Sequence, residues 1–239
     1  GEMKKALIQN LKLLNEELAK PDAEPTDLFG AYLGGEQRKD VPTPNEKDTR
    51  PEKSFIYALS SYIDGEDSDS IEEFTTRLKT LLAQNKYSKY LKPVGTTAFR
   101  ILFNIDLKNT SKMLGYKPEF LLRNDDLIFD GIGGISVFKD VTSWTTAITP
   151  GLITNISAMQ GDIEPGKCFV ILVAPIEGNN FVLNWKTLST APFLPGYVQS
   201  NLSIEKEVLG IGPIHYEESW AFVNKTKSNM RSSDIIKQF

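Results

Sequence analysis

The chain is poor in the two residues that build most metal and disulfide sites. Among its 239 residues there is one cysteine, Cys168, and one histidine, His215. A single cysteine excludes an intramolecular disulfide, and a single histidine excludes a metal site built from several histidines. A Ser-His-Asp triad would have to use His215, which lies two residues after a Gly-Pro pair and is expected to be a surface or turn residue. The composition therefore favours a site without metal.

Long apolar runs and an excess of basic residues are missing too. No run approaches the roughly 20 apolar residues that a membrane-spanning helix needs. The net charge of −4 does not indicate nonspecific binding to nucleic acid or to an anionic membrane. With 40% hydrophobic and 24% charged residues, the composition is that of a globular protein with a sizeable core. We expect a monomer with neither a nucleic-acid nor a membrane partner.

The chain divides into a helical part and a strand-rich part. Leucines at helical spacing predict a helix over 3–19, and two further helices are predicted over 53–62 and 70–82, after an extended loop. From residue 93 onward, short segments rich in β-branched and aromatic residues predict strands. The predicted strands are 98–105, 137–146, 168–173, 181–183, 205–211 and 219–223.

Helices followed by strands indicate an α+β fold rather than alternating βαβ units. We expect a single domain over 1–239, with a helical N-terminal lobe over 1–92 and a β-rich core over 93–239. The N-terminus has no signal-peptide pattern, although a processed start with a removed leader stays an alternative.

The most informative motif is the triplet Glu205-Lys206-Glu207, at the start of a predicted strand. Side chains alternate along a strand, so Glu205 and Glu207 are predicted to share one face. Paired carboxylates suit a site that stabilises a developing positive charge. Such triplets are also common as solvated surface charge. A functional site is favoured over surface charge because Arg100 and Ser143 precede the triplet, each on a predicted strand.

In this order the motifs resemble those of the arginine-directed mono-ADP-ribosyltransferases, which carry an Arg, a Ser-Thr-Ser motif and a Glu-x-Glu. Phe99-Arg100 is similar to the aromatic-Arg pair of the family's first core strand. Residues 138–145 are similar to its aromatic-x-x-hydrophobic-Thr-Ser-Thr-Ser stretch, and 205–210 to its Glu-x-Glu with following glycine. The resemblance covers about residues 93–224. It implies that family's split β-sandwich, with the leading helices packed against it.

Two departures from the family pattern affect the expected site. Ile101 stands where the family often has glycine, and Trp144-Thr145 replaces Thr-Ser after Ser143. Because strand directions alternate, we expect Trp144 to point into the core, away from Ser143. The loop over 149–167, expected above the nicotinamide phosphate, supplies no arginine, so phosphate binding would depend on Arg100 and backbone amides.

The resemblance implies a role for each carboxylate and its neighbours. Cleaving the nicotinamide–ribose bond of NAD creates an oxocarbenium-like sugar, which Glu207 would stabilise while holding the ribose 2′-hydroxyl. Glu205 would bind and deprotonate the acceptor guanidinium, which is a poor nucleophile while protonated. Ser143 would hold Glu207 toward the ribose, and Thr145, two residues on, would support it.

The remaining site residues would bind the co-substrate and the target. Arg100 would contact the NAD diphosphate or the adjacent ribose, since its planar fork of donors suits phosphate oxygens. The backbone of Ile101 would meet the nicotinamide carboxamide. Phe193 and Tyr197, in a predicted loop over 190–201, would pack on the target surface.

The resemblance thus implies an enzyme that transfers ADP-ribose from NAD to a protein arginine, with NAD hydrolysis as a side reaction. NAD would be a co-substrate, with no metal, and the enzyme would be a toxin secreted or injected into a foreign cell. One alternative is a glycosidase that uses Glu205 and Glu207 as its carboxylate pair. Another is a non-catalytic NAD- or protein-binding module of the same fold.

Overall fold

A computed structural model describes residues 1–20, 88–136, 141–192 and 196–239. These residues form an α+β fold with a mostly antiparallel sheet, as the sequence predicts. The helices are α1 (Glu2–Leu18), α2 (Ser88–Leu91), α3 (Leu107–Leu114), α4 (Pro118–Arg123), α5 (Pro150–Gln160), α6 (Trp185–Leu188), α7 (Gly196–Glu205) and α8 (Ser232–Ile236). The strands are β1 (Thr97–Ile105), β2 (Ile128–Gly131), β3 (Gly134–Ser136), β4 (Val141–Thr145), β5 (Cys168–Pro175), β6 (Phe181–Val182), β7 (Glu207–Ile211), β8 (Ile214–Tyr216) and β9 (Glu218–Val223).

The first predicted helix is confirmed as α1, and it packs directly on the sheet. Leu7, Leu11 and Leu14 lie on one face because they recur at helical spacing, and they are buried against Phe169 and Ile171 of β5. The helices predicted over 53–62 and 70–82, and most of the loop before them, lie outside the described residues. Within the described part of the chain, no helix has the length and apolar character to cross a bilayer.

Seven strands form the main sheet in the order β2-β9-β5-β1-β4-β7-β6, and β3 pairs with β8 in a separate ribbon. Strand β5 lies between β9 and β1, and its residues from Cys168 to Ala174 are buried. Its side chains alternate between two apolar clusters, one on each face of the sheet. Such an uninterrupted apolar run is what a strand covered on both faces requires.

The sheet is divided between β1 and β4. Strand β1 pairs with β5 from Thr97 opposite Pro175 to Ile105 opposite Cys168. In contrast, β1 meets β4 at one pair, Phe99 with Thr145, while β4 pairs with β7 over five positions. The two strands therefore diverge beyond Phe99 and open a cleft between the two parts of the sheet.

The second half of the chain holds more helix than the sequence predicts. The expected loop over 149–167 contains α5, whose first turn is capped by Thr149 Oγ1 accepting from the Leu152 amide at 3.1 Å. The expected loop over 190–201 contains the start of α7. Strands β2, β3 and β8 were not predicted, and the first four residues of the predicted strand 137–146 lie outside the described residues.

The predicted strand over 205–211 starts two residues late. Glu205 ends α7, and Lys206 adopts a left-handed conformation with φ 46° before β7 begins at Glu207. The Lys206 amide donates to the Leu202 carbonyl at 2.8 Å, closing the helix as a left-handed capping residue does. The prediction that Glu205 and Glu207 share one face of a strand is therefore wrong.

Candidate active site

The cleft between the diverging strands has a volume of about 340 Å³. One wall is β1 and another is the end of β4, while α5 contributes Leu152, Ile156, Met159 and Gln160. Five residues that the sequence assigned to the site line this cleft: Arg100, Ile101, Ser143, Thr145 and Glu205. The topology thus brings together residues that are more than 100 positions apart in the chain.

Glu207 is held beside this cleft by Ser143. The Ser143 hydroxyl donates to Glu207 Oε1 at 2.7 Å, which is the contact expected from the sequence. The register of β4 on β7 makes this contact possible, because Thr145 lies opposite Glu207 and Ser143 lies two residues further along the same face. Glu207 is only 4% exposed. Burial raises the pKa of Glu207 to about 7, although the hydrogen bond from Ser143 by itself lowers this pKa.

Glu205 reaches the same site from the end of α7. Thr145 Oγ1 contacts the Glu205 carbonyl oxygen at 2.7 Å, and Thr149 Oγ1 donates to the Ile204 carbonyl at 3.0 Å. These two threonines attach the last turn of α7 to the segment that follows β4. Thr145 therefore supports Glu205 through its backbone, in addition to lying on the face of Ser143.

The two carboxyl groups interact electrostatically. Burial raises the pKa of Glu205 to about 8, with a further contribution from the negative charge of Glu207. Groups coupled in this way lose their protons in steps that belong to the pair rather than to either residue. Near neutral pH the pair therefore retains a proton that two solvated glutamates would have released.

Asn155 is a site residue that the sequence did not reveal. It lies on α5, is fully buried, and presents its amide to the Glu205 carboxyl group, whose pKa it lowers. The geometry lies outside the ordinary hydrogen-bond range, so both amide atoms lack a hydrogen bond in the described structure. Nothing in the sequence indicated this residue, because it was assigned to a loop and carries no motif.

Arg100 spans the gap between β1 and β4. Its Nη1 donates to the Ser143 carbonyl oxygen at 2.9 Å, so the guanidinium connects β1 with β4 where the strands no longer pair. Beyond Phe99, β1 has no strand alongside it on the cleft side within the described residues. Along this stretch β1, including Ile101, forms part of the cleft wall.

Trp144 points into the core, as predicted from strand alternation. It is 2% exposed, its Nε1 donates to Thr142 Oγ1 at 2.8 Å, and its ring packs edge-on against Phe181 at 5.4 Å between centroids. The large residue beside Ser143 is thus accommodated on the opposite face of β4. Phe193 lies outside the described residues, and Tyr197 is described only as part of the first turn of α7.

The arrangement can bind an anion at Arg100, accept hydrogen bonds along β1, and place two carboxyl groups against an electron-poor centre. A cation and two carboxyl groups around one cleft suit a ligand that carries negative charge and develops positive charge at its reacting centre. Comparison with protein-family models, curated proteins and solved structures found no match to this chain.

Proposed function

We propose that this protein transfers ADP-ribose from NAD to arginine side chains of a target protein, releasing nicotinamide, with NAD hydrolysis as a side reaction. The observation that carries the proposal is the 2.7 Å hydrogen bond from Ser143 to Glu207 beside a cleft that Arg100 and Glu205 also line. The proposal also assigns the fold to the split β-sandwich of ADP-ribosyltransferases. The single residue pair that joins β1 to β4 supports that assignment.

In this proposal NAD lies in the cleft with its diphosphate near Arg100. A guanidinium offers several donors in one plane, which matches the oxygens of a phosphate group. The unpaired edge of β1 near Ile101 would hold the nicotinamide carboxamide through backbone groups. These contacts fix the bond between the nicotinamide nitrogen and ribose C1′ close to Glu207.

When that bond breaks, its electron pair leaves with the nicotinamide nitrogen, and positive charge develops on the ribose. Glu207, as a carboxylate, stabilises this charge and accepts a hydrogen bond from the ribose 2′-hydroxyl. Ser143 keeps the carboxylate directed at the sugar. Because the group must be charged to do this, turnover should rise with pH through the range in which the carboxyl pair loses its proton.

The acceptor arginine then forms a bond from a guanidinium nitrogen to C1′ and loses the proton on that nitrogen. Glu205 would bind the guanidinium and accept this proton. Its raised pKa makes it a stronger base than a solvated glutamate. Asn155 lowers the pKa of Glu205 and so favours the charged form that accepts the proton. Water replaces the guanidinium in the hydrolytic side reaction.

The glycosidase alternative is disfavoured by where the carboxyl groups originate. Glycosidase carboxylates flank the scissile bond from opposite sides. Glu205 and Glu207 are separated by a single residue at the junction of α7 and β7, so they do not come from segments that could lie on opposite sides of a bound sugar. No observation on the described residues favours the non-catalytic module over the enzyme.

The test is transfer of labelled ADP-ribose from NAD to agmatine and to proteins of a cell lysate. We expect saturable NAD binding by calorimetry, nicotinamide release, and modified arginines by mass spectrometry. Arg100→Ala should weaken NAD binding, whereas Arg123→Ala, a change at an exposed residue of α4, should not. Lack of binding and of nicotinamide release at millimolar NAD would refute the proposal.

A further inference from the structure

The residue between the two carboxyl groups has an unusual backbone conformation. Lys206 is one of three described non-glycine residues with positive φ, at 46°. The left-handed region costs free energy for residues with a Cβ, so it persists only where the surroundings hold it. Here it lets the chain pass from α7 into β7 within one residue, which places Glu205 in the cleft wall and Glu207 beside the cleft.

The backbone of Lys206 is held at both ends. Its amide closes α7 by donating to the Leu202 carbonyl at 2.8 Å, and its carbonyl oxygen accepts from the Thr146 amide at 3.0 Å. Thr146 Oγ1 lies 3.3 Å from the same carbonyl. Thr146 follows β4, so the turn is attached to the strand that carries Ser143.

The side chain of Lys206 is held as well. Its Nζ lies 5.4 Å from the ring centroid of Trp185, which is within the range of a cation–π interaction. Trp185 Nε1 in turn donates to Thr146 Oγ1 at 3.0 Å. One tryptophan therefore contacts both the lysine of the turn and the threonine that binds its carbonyl group.

We propose that Lys206 and Trp185 form a clamp that sets the position of Glu205 relative to Glu207, and so determines how well an acceptor guanidinium competes with water. The proposal rests on the proposed transferase function. Lys206 is a positioning residue, because it acts through Glu205 and not on the reacting atoms.

The two carboxyl groups should respond differently when the clamp is loosened. Glu207 belongs to β7, is paired opposite Thr145 of β4, and is bound by Ser143. Glu205 ends a helix, and besides the threonine contacts to the last turn of α7 it is held by the turn at Lys206. Loss of the turn should therefore displace Glu205 and leave Glu207 in place.

The test compares three substitutions of Lys206. Lys206→Arg keeps both the cation and a comparable backbone preference, Lys206→Gly keeps the left-handed turn without the cation, and Lys206→Val keeps neither. We expect the ratio of agmatine transfer to NAD hydrolysis to fall in the order Arg, Gly, Val. For Lys206→Val the loss of transfer should be about 10²-fold, the size expected when a catalytic group is displaced by about 1 Å.

A matched control is available on the same tryptophan. Lys186 Nζ also lies over the Trp185 ring, at 5.8 Å, but Lys186 does not belong to the turn. Lys186→Ala should leave the transfer-to-hydrolysis ratio unchanged, whereas Trp185→Leu should lower it. The proposal is overturned if Lys206→Val loses transfer and hydrolysis equally, or if Lys186→Ala matches Lys206→Gly.

Melting temperatures separate this inference from the proposed function. Lys206→Val should melt below Lys206→Gly, because valine is poorly suited to the left-handed region, and this ranking does not depend on NAD. Equal melting temperatures for these two variants would show that residue 206 does not need the left-handed conformation, even if the enzyme is active, and would overturn the role of the turn. Absence of NAD turnover in the wild-type protein would instead refute the transferase function, and with it the role given to Lys206.

Discussion

The two edges of β1 differ in what they do. Along one edge β1 pairs with β5 over most of its length, and the neighbouring residues of β5 are fully buried and apolar. Along the other edge it meets β4 at Phe99 and then diverges, leaving a cleft lined by Arg100 and Glu205. The same strand therefore serves as part of the core and as one wall of the site.

This difference shows how the fold supports a costly arrangement of charge. Burying carboxyl groups is unfavourable unless they are paired or remain protonated, and the raised pKa values of Glu205 and Glu207 reflect that cost. The apolar edge supplies the stability that lets the open edge keep such groups. We therefore expect substitutions on the β5 edge to lower stability, and substitutions on the β4 edge to lower activity.

The largest expected effect is that of Glu207→Gln. Without the carboxylate the developing sugar cation loses its stabilising charge, so hydrolysis and transfer should both fall by about 10²- to 10³-fold. Nicotinamide release and agmatine modification measure the two reactions, and circular dichroism checks folding. Glu217→Gln, at an exposed position, is the matched control and should be fully active. Wild-type levels of transfer in Glu207→Gln would refute the proposed function.

On the β5 edge, Ile171→Ala should lower the free energy of unfolding by about 2–5 kcal/mol, because it leaves a cavity in the core beneath α1. The folded fraction should keep its kcat and its KM for NAD. Urea unfolding measures the first quantity, and Ile132→Ala, at a 65% exposed residue, should have little effect. A loss of kcat in folded Ile171→Ala would contradict the expectation that substitutions on the β5 edge affect stability and not activity.

Glu205→Gln should separate the two reactions. Transfer to agmatine should fall by about 10²-fold, since a general base for the guanidinium is lost, while hydrolysis persists because water needs no guanidinium-binding carboxylate. The ratio of ADP-ribosylagmatine to free ADP-ribose measures this effect. An equal loss in both products would contradict the division of labour between Glu205 and Glu207.

Ser143→Ala should act mainly on turnover. A hydrogen bond to a charged group contributes about 1.5–3 kcal/mol, so kcat should fall about 10-fold or more, with little change in the KM for NAD. Ser203→Ala, an exposed serine of α7, is the control. A raised KM with unchanged kcat would mean that Ser143 binds the cofactor instead of orienting Glu207.

The smallest expected effect concerns stability against pH. The pKa of Glu205 is raised from an ordinary 4.5 to about 8, so its contribution to stability is present below pH 4.5 and is lost as the pH rises through 8. Glu205→Gln cannot ionise, so its Tm relative to the wild type should be higher at pH 9 than at pH 5. Thermal unfolding at the two pH values measures this difference, and its expected sign is a relative gain in Tm for Glu205→Gln at the higher pH. An equal Tm difference between mutant and wild type at pH 5 and pH 9 would show that the pKa of Glu205 is not raised.

The parts of the site that follow from short-range alternation could be predicted. Ser143 and Trp144 lie on a strand, and the period of two predicts that they point in opposite directions, with Trp144 in the core. The contact of Ser143 with Glu207 was implied by the family resemblance and depends on the register of β4 on β7. The membership of Glu205 in the site was predicted for a wrong reason, since it ends a helix instead of starting a strand. Asn155 was missed because it lies on a helix that was predicted to be a loop, and only the packing of that helix brings it near Glu205.

The sequence by itself determined the α+β character, the apolar central strand and the direction of side chains along β4, because each depends on residues a few positions apart. Only the tertiary structure decided where β1 and β4 separate, how deeply the carboxyl groups are buried, and which residues hold the turn at Lys206. These depend on contacts between distant segments, such as Thr146 with Lys206 and Ser143 with Glu207. Burial and electrostatic coupling are properties of that packing, and no local pattern encodes them.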